Sequence, residues 1–261
     1  MKSFNFKSAN NSKEASKLIS GRATFLAGGM TLLPAIKLRL AAYSDLINIK
    51  KIKSLSGIKV SNKKIKIGST TTHAIVASSK EINKYIPSLA SLAEGIGDPQ
   101  VRNRGTIGGS IANNDPAADY PSACLALNAI IHTNKRKILA EKFFKGIFET
   151  DLKKGELIEL VEFEIPEKSA YAKFPNPASR YAIVGVYVAK LKNEVRVAIT
   201  GASDCVFRSK ELESHLSKNF SYSGIVNVNI LSKNLNEDMH ASAEYRAHLI
   251  KVMTKKALSN C

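Results

Sequence analysis

QVRNRGTIGGSIANNDPAAD, running from Gln100 to Asp119, is the stretch on which the reading of this chain turns. Residues 97 to 119 are dense in Gly, Pro, Asn and Asp, a composition that predicts an ordered loop rather than packed regular structure. At its centre Gly108 and Gly109 are flanked by Thr106, Ile107 and Ser110. Paired glycines let a backbone approach an anionic group without a Cβ in the way, and neighbouring N–H groups supply donors. Asn113 and Asp119 add side chains able to bond sugar hydroxyls. Asp119 also precedes an apolar helical segment, DYPSACLALN, so it is equally an N-cap candidate. Arg102 and Arg104 offer contacts to phosphate, but bonding the carbonyls of their own loop is the preferred reading.

A second glycine pair lies upstream, in Ala27-Gly28-Gly29-Met30-Thr31. Here the strand ATFLA meets the helix MTLLPAIKLRL, with Pro34 tolerated near the helix start. Phosphate loops occur at such junctions, although a plain tight turn has the same look. The spacing matches neither G-x-G-x-x-G nor G-x-x-x-x-G-K-[ST], which argues against a Rossmann site or a P-loop.

Outward from these loops, SANNSKEASKLISG predicts a helix, SDLINIK a strand, and GIKVSNKKIKIGS a hairpin about Asn62-Lys63. TTHAIVASSKEINKY and PSLASLAEGI read as helices; AIIHTN and ELIELVEFEIP read as strands. Ala170 to Ser179 is the candidate domain boundary. Beyond it YAIVGVYVAKL and EVRVAITGA form a hairpin about Lys192-Asn193. A terminal helix then presents Ala241, Tyr245, Leu249, Val252, Met253 and Ala257 on one face.

With 44% hydrophobic and 23% charged residues over 261 positions, the chain has globular composition and room for a sizeable core. No apolar run approaches the roughly 20 residues of a membrane span, and the N-terminal residues carry no secretory pattern, so a cytoplasmic protein is expected. Cys124, Cys205 and Cys261 are far apart and form no C-x-x-C pair. Neither a disulfide framework, a zinc site nor an iron–sulfur cluster held by this chain is indicated. The net charge of +17 comes from scattered lysines without interleaved aromatics, which argues for a solvated surface or steering toward acidic partners rather than nucleic-acid binding.

Taken together, AGGMTLLPAIKLRL, IGSTTTHAIVAS and QVRNRGTIGGSIANNDPAAD resemble the FAD subunit of the xanthine dehydrogenase and carbon monoxide dehydrogenase family of molybdenum hydroxylases. The resemblance continues in the family's order through NPASRYAIVGVYVA, VRVAITGAS and ASAEYRAHLIKVMTKKAL, nearly the whole chain. It implies an α+β protein. A two-subdomain FAD-binding fold of the vanillyl-alcohol-oxidase type would occupy residues 1–170, with subdomains of about 1–53 and 54–170. A C-terminal domain of three-stranded antiparallel sheet and helices would follow in 171–261. By matching positions, Ala27, Gly28, Gly29, Met30 and Thr31 with Thr106, Ile107, Gly108, Gly109 and Ser110 would wrap the FAD pyrophosphate. Asn113 and Asp119 would contact its ribityl or ribose portion. Met30 and Thr31 fall where the family varies, and Asp115 stands where serine is common, which leaves the subfamily open.

The resemblance further implies an oxidoreductase subunit whose flavin carries the redox chemistry, with no catalytic side chain and no metal of its own. A large partner would hold the molybdenum cofactor and a small one two [2Fe–2S] clusters, in a dimer of heterotrimers that passes electrons through this FAD to an external acceptor. The alternative is a free-standing FAD oxidoreductase of the same fold, which needs an acid or base beside the flavin. His73 is the one candidate, and its setting among threonines at a helix start reads better as capping or packing. Tyr181 either covers the flavin ring or belongs to the core.

Overall fold

The computed structural model describes residues 2–261, built around three principal sheets. The first is parallel, with Asp45–Asn48 paired on one side to Asn5–Ser8 and on the other to Ala23–Leu26. Its crossovers are the helices Ser12–Lys17, capped by the Asn11 side chain, and Leu32–Lys37. Leu46 and Ile47 of the central strand are wholly buried. The edge strand Asn5–Ser8 carries Phe6 more than half exposed, so its sequence shows no buried-strand pattern; it was not among the expected elements.

The second sheet is antiparallel, in the order Ile58–Ser61, Lys64–Gly68, Ile158–Glu164, Ile130–Thr133, Lys137–Leu139. Asn62 and Lys63 both take positive φ, the geometry a two-residue hairpin of this twist demands. Ile65, Ile67, Ile131, Val161 and Phe163 all face one core, shared with the helices Pro87–Glu94 and Tyr120–Ala126. Burying alternate residues along each strand is what fixes that register.

The third sheet starts at Lys168, just before the expected boundary segment. Lys168–Pro175 is a continuous strand paired with Ala182–Lys190, so Ala170 to Ser179 forms strand and turn. Val195–Thr200 follows as the third long strand, and the two-residue Phe207–Arg208 makes a fourth. Ala182–Lys190 is buried on both faces: Val184, Val186 and Val188 face the C-terminal helices, whereas Tyr187 and Ala189 join the core of the second sheet. That double burial explains its nearly unbroken apolar sequence. The closing helix Ala243–Ser259 buries Leu249, Ile250, Met253 and Ala257, while Tyr245 and Val252 are exposed, contrary to the face expected for them.

The other correction concerns residues 97–119. Two short helices occupy this stretch, Pro99–Arg104 capped by the Asp98 carboxylate and Ile107–Asn113 capped by the Thr106 hydroxyl. Gly and Asn depress helix propensity, and here tertiary contacts override it.

Candidate functional site

A cleft of about 560 Å³ opens where the three sheets meet, within the range of cofactor sites. Both glycine loops line it: Ala27, Gly28, Gly29, Met30 and Thr31 on one side, Thr106, Gly108, Gly109, Ser110 and Asn113 on another, with Asp119 and Tyr181 beyond. Ile107 is the predicted residue that is not brought there; its side chain is fully buried in the core of the second sheet.

Backbone hydrogen bonding divides the labour of the two loops differently from the sequence reading. In the second loop the N–H of Ile107 donates to the Thr71 carbonyl at 3.1 Å and that of Gly108 to the Ser69 carbonyl at 2.9 Å. The N–H of Gly109 donates to Thr106 Oγ1 at 3.1 Å and that of Ser110 to the Thr106 carbonyl at 3.0 Å. The donors from Ile107 to Ser110 are therefore engaged within the fold. In the first loop the N–H groups of Gly28, Gly29, Met30 and Thr31 have no partner among the described residues. Because backbone donors at a site require a partner, these four are the ones available to an anion.

The glycines differ too. A Cβ on Gly108 would stand 2.5 Å from Ser69 Cβ and 2.7 Å from its carbonyl oxygen, so Gly108 is a packing glycine. A Cβ on Gly109 would meet only Thr106 Oγ1, at 3.0 Å, and otherwise extend into the open cleft. Gly109 thus keeps a wall clear, while the first loop supplies the donors. Among the described residues, Ser110 Oγ and the Asn113 amide have no protein partner at the cleft surface.

Asp119 is buried, and its side chain caps nothing despite preceding Tyr120–Ala126. Instead Oδ1 accepts a hydrogen bond from the Tyr171 hydroxyl at 2.5 Å and pairs with Lys173 Nζ at 2.9 Å. Burial raises the Asp119 pKa, opposed by the Lys173 charge and the Tyr171 hydrogen bond. Neither partner was expected from sequence; the only signal was their i, i+2 spacing on one strand, which places both side chains on the same face.

Carbonyls of the segment before Pro99 are gathered by cations. Arg102 donates to the carbonyls of Ile96 at 3.1 Å and Gly97 at 3.0 Å, the loop-supporting role preferred for it. Lys173 donates to Gly95 at 2.9 Å and Arg180 to Gly97 at 3.1 Å. Tyr181, beside Arg180, is part-exposed along the cleft, and burial together with the charges of Asp115 and Asp119 raises its pKa.

His73 sits at the first position of the helix His73–Ser78, whose cap is Thr72. It is 5% exposed, packs on Tyr120 with ring centroids 5.3 Å apart, and abuts Gly105. Burial, then the Arg102 charge, brings its pKa down to about 4. Packed on Tyr120 at a helix start, His73 has the packing role that the sequence favoured for it. Ser69 Oγ and His73 Nδ1 are buried without a partner at the edge of the cleft. Among the described residues no group of three His, Cys, Asp or Glu is arranged to hold a metal, and no helix is long and apolar enough to cross a membrane.

A fold of parallel and antiparallel sheets converging on a cleft with two glycine loops is that of a protein built to hold a dinucleotide cofactor. The family described as the FAD binding domain in molybdopterin dehydrogenase matches residues 2–168. The glyceraldehyde dehydrogenase medium chain of Sulfolobus acidocaldarius is 35% identical, covering 97% of this chain and 96% of its own. The carbon monoxide dehydrogenase medium chain of Hydrogenophaga pseudoflava is 32% identical, with 91% and 88% covered. A solved structure of carbon monoxide dehydrogenase from the same organism superposes with a TM-score of 0.90 at 30% identity, covering 98% of this chain and 96% of its own. The chain belongs to the family of FAD-binding domains of molybdopterin dehydrogenases.

Proposed function

We propose that this chain is the FAD-holding, electron-transferring subunit of a heteromeric molybdenum hydroxylase. The observation that carries the reading is the pairing within one cleft of four partnerless backbone N–H groups, from Gly28 to Thr31, with a second loop whose Gly109 leaves the facing space clear. The first loop binds the pyrophosphate; Thr106, Gly108, Gly109 and Ser110 shape the opposite wall, and Asn113 and Asp119 meet sugar hydroxyls. Tyr181 lies against the ring end and limits its contact with water. Bound FAD supplies the redox chemistry, and the residues around it bind, orient and shield. The FAD-binding unit runs to about residue 167, and the C-terminal unit begins with the strand Lys168–Pro175.

Relatives named as medium chains imply companion chains. In this reading a large subunit carries the molybdenum cofactor and a small one the iron–sulfur clusters that deliver electrons here, for passage to an external acceptor, in a dimer of heterotrimers. The test is to purify the chain alone and together with the products of neighbouring genes, and to record flavin absorbance, metal content and subunit composition. A yellow chain that co-purifies with molybdenum and iron is expected. A colourless chain that binds no added FAD overturns the reading; a yellow one that never associates with such chains points to a free-standing flavoenzyme.

A further inference from the structure

Tyr171 and Lys173 stand on the same face of the strand Lys168–Pro175, pointing away from the C-terminal core that Ala170 and Ala172 join. Both reach the same atom, Asp119 Oδ1, and Lys173 also donates to the Gly95 carbonyl. The side chain of Lys173 is 10% exposed and that of Asp119 is 4% exposed, so this is a buried ion pair. Such a pair gives little stability over an apolar replacement, because desolvation offsets the attraction. The pair also lies where the third sheet, the Tyr120–Ala126 helix and the segment carrying Ile96 and Gly97 come together around the cleft. A charged pair here is better explained by what it holds in place than by stability.

We infer that Tyr171 and Lys173 are positioning residues for the cofactor site: they fix the Asp119 carboxyl group at the cleft wall as an acceptor for a sugar-alcohol hydroxyl of FAD. The inference rests on the reading of the cleft as an FAD site. Two donors on Oδ1 orient the carboxylate, and the ammonium opposes the rise in its pKa that burial causes. The other groups near it are neutral at working pH: Tyr120 at the start of its own helix, raised well above its usual range, and Tyr181 across the cleft, also raised. Asp115 also bears on Tyr181. Lys173 is therefore the group whose removal shifts the Asp119 titration, and the shift is upward.

The test is FAD affinity of the full-length chain between pH 5 and 9, followed by quenching of flavin fluorescence, for wild type, K173M, K173R, Y171F and D119N. Wild-type affinity is expected to fall only at the acid end. In K173M the fall moves to higher pH by at least roughly one unit, K173R restores the wild-type profile, and Y171F shifts it less. D119N is weak and flat across the range. A K173M profile that coincides with wild type, with FAD still bound, overturns the inference and leaves the site reading intact. Absence of FAD binding by the wild type at every pH overturns the site reading instead. Should K173M not fold, the Y171F profile decides: no upward shift there also overturns the inference.

Discussion

Gly28 lies directly against the carbonyl of Arg104: a Cβ there would overlap that oxygen, and would stand 2.8 Å from the carbonyl carbon and 2.9 Å from Gly105 Cα. The first glycine loop thus touches, backbone to backbone, the residues that lead into the second, and the first of its four free N–H groups belongs to the residue at that junction. The contact makes Gly28 a structural requirement, whereas Gly109 faces open space.

Substitution separates these roles. Gly28→Ala forces one loop off the other and is expected to destabilise the chain by about 2–4 kcal/mol, as overpacking against rigid backbone does. Gly109→Ala displaces only the Thr106 hydroxyl and is expected to cost less than about 1 kcal/mol, the scale of a cap bond. Gly109→Val projects further into the cleft, and FAD affinity is expected to fall roughly ten-fold or more. Urea denaturation of the cofactor-free chain and FAD titration, run in parallel, check both. Equal stability losses at the two positions would contradict the assignment.

His73 gives the fold a pH dependence. Its pKa of about 4 in the folded chain lies below the value near 6.5 of an exposed imidazole. Between these values the unfolded chain binds the proton and the folded chain does not, so stability rises with pH through that window and falls as pH drops from 6.5 toward 4. At about 1.36 kcal/mol per unit, the change across the window is on the order of 3 kcal/mol. His73→Gln is expected to flatten this part of the profile. Denaturation midpoints at half-unit intervals measure it, and an unchanged slope in the variant would place the titration elsewhere.

Much of the architecture was legible in the sequence because its signals are local. Asn11 caps the helix it precedes, and alternation in GIKVSNKKIKIGS set both the strands and the turn between them. The stretch from 97 to 119 was misread because its helices depend on distant partners. Gly108 is needed for Ser69 to approach, although glycine argues locally against a helix. The loop residues were identified, but which loop holds free donors was not, since the Thr71 and Ser69 carbonyls that engage the second loop arrive from another segment. The same holds for Asp119, whose partners Tyr171 and Lys173 come from the third sheet.

Arg102 was read as a loop support, and its geometry gives that role a measurable consequence. It holds the carbonyls of Ile96 and Gly97, both of which line the cleft. Arg102→Ala is expected to destabilise the chain by about 1–3 kcal/mol, leaving the Ile96 carbonyl unpartnered and the Gly97 carbonyl to Arg180 alone, and to weaken FAD binding as the segment loosens. Arg102→Lys, able to reach one carbonyl but not fork across two, is expected to fall between. Faster amide exchange over residues 95–98 in the alanine variant is the accompanying observation.

Asn113 and Asn114 are neighbours in different surroundings. Asn113 lines the cleft with no protein partner for its amide. Asn114 is 1% exposed, takes a left-handed φ of 45° and donates from Nδ2 to the carbonyls of Gly146 and Glu149, each at 2.8 Å. Asn113→Ala is therefore expected to change stability by less than about 0.5 kcal/mol while lowering FAD affinity. Asn114→Gly keeps the backbone geometry but strands two carbonyls, for an expected loss of about 2 kcal/mol. Asn114→Ala adds the strain of a left-handed alanine, roughly 1 kcal/mol more. Stability ordered wild type, Asn113→Ala, Asn114→Gly, Asn114→Ala, with only Asn113→Ala reducing FAD affinity out of proportion to its stability, is the pattern to look for. A large stability loss at Asn113 would mean that its side chain supports the fold rather than the cofactor.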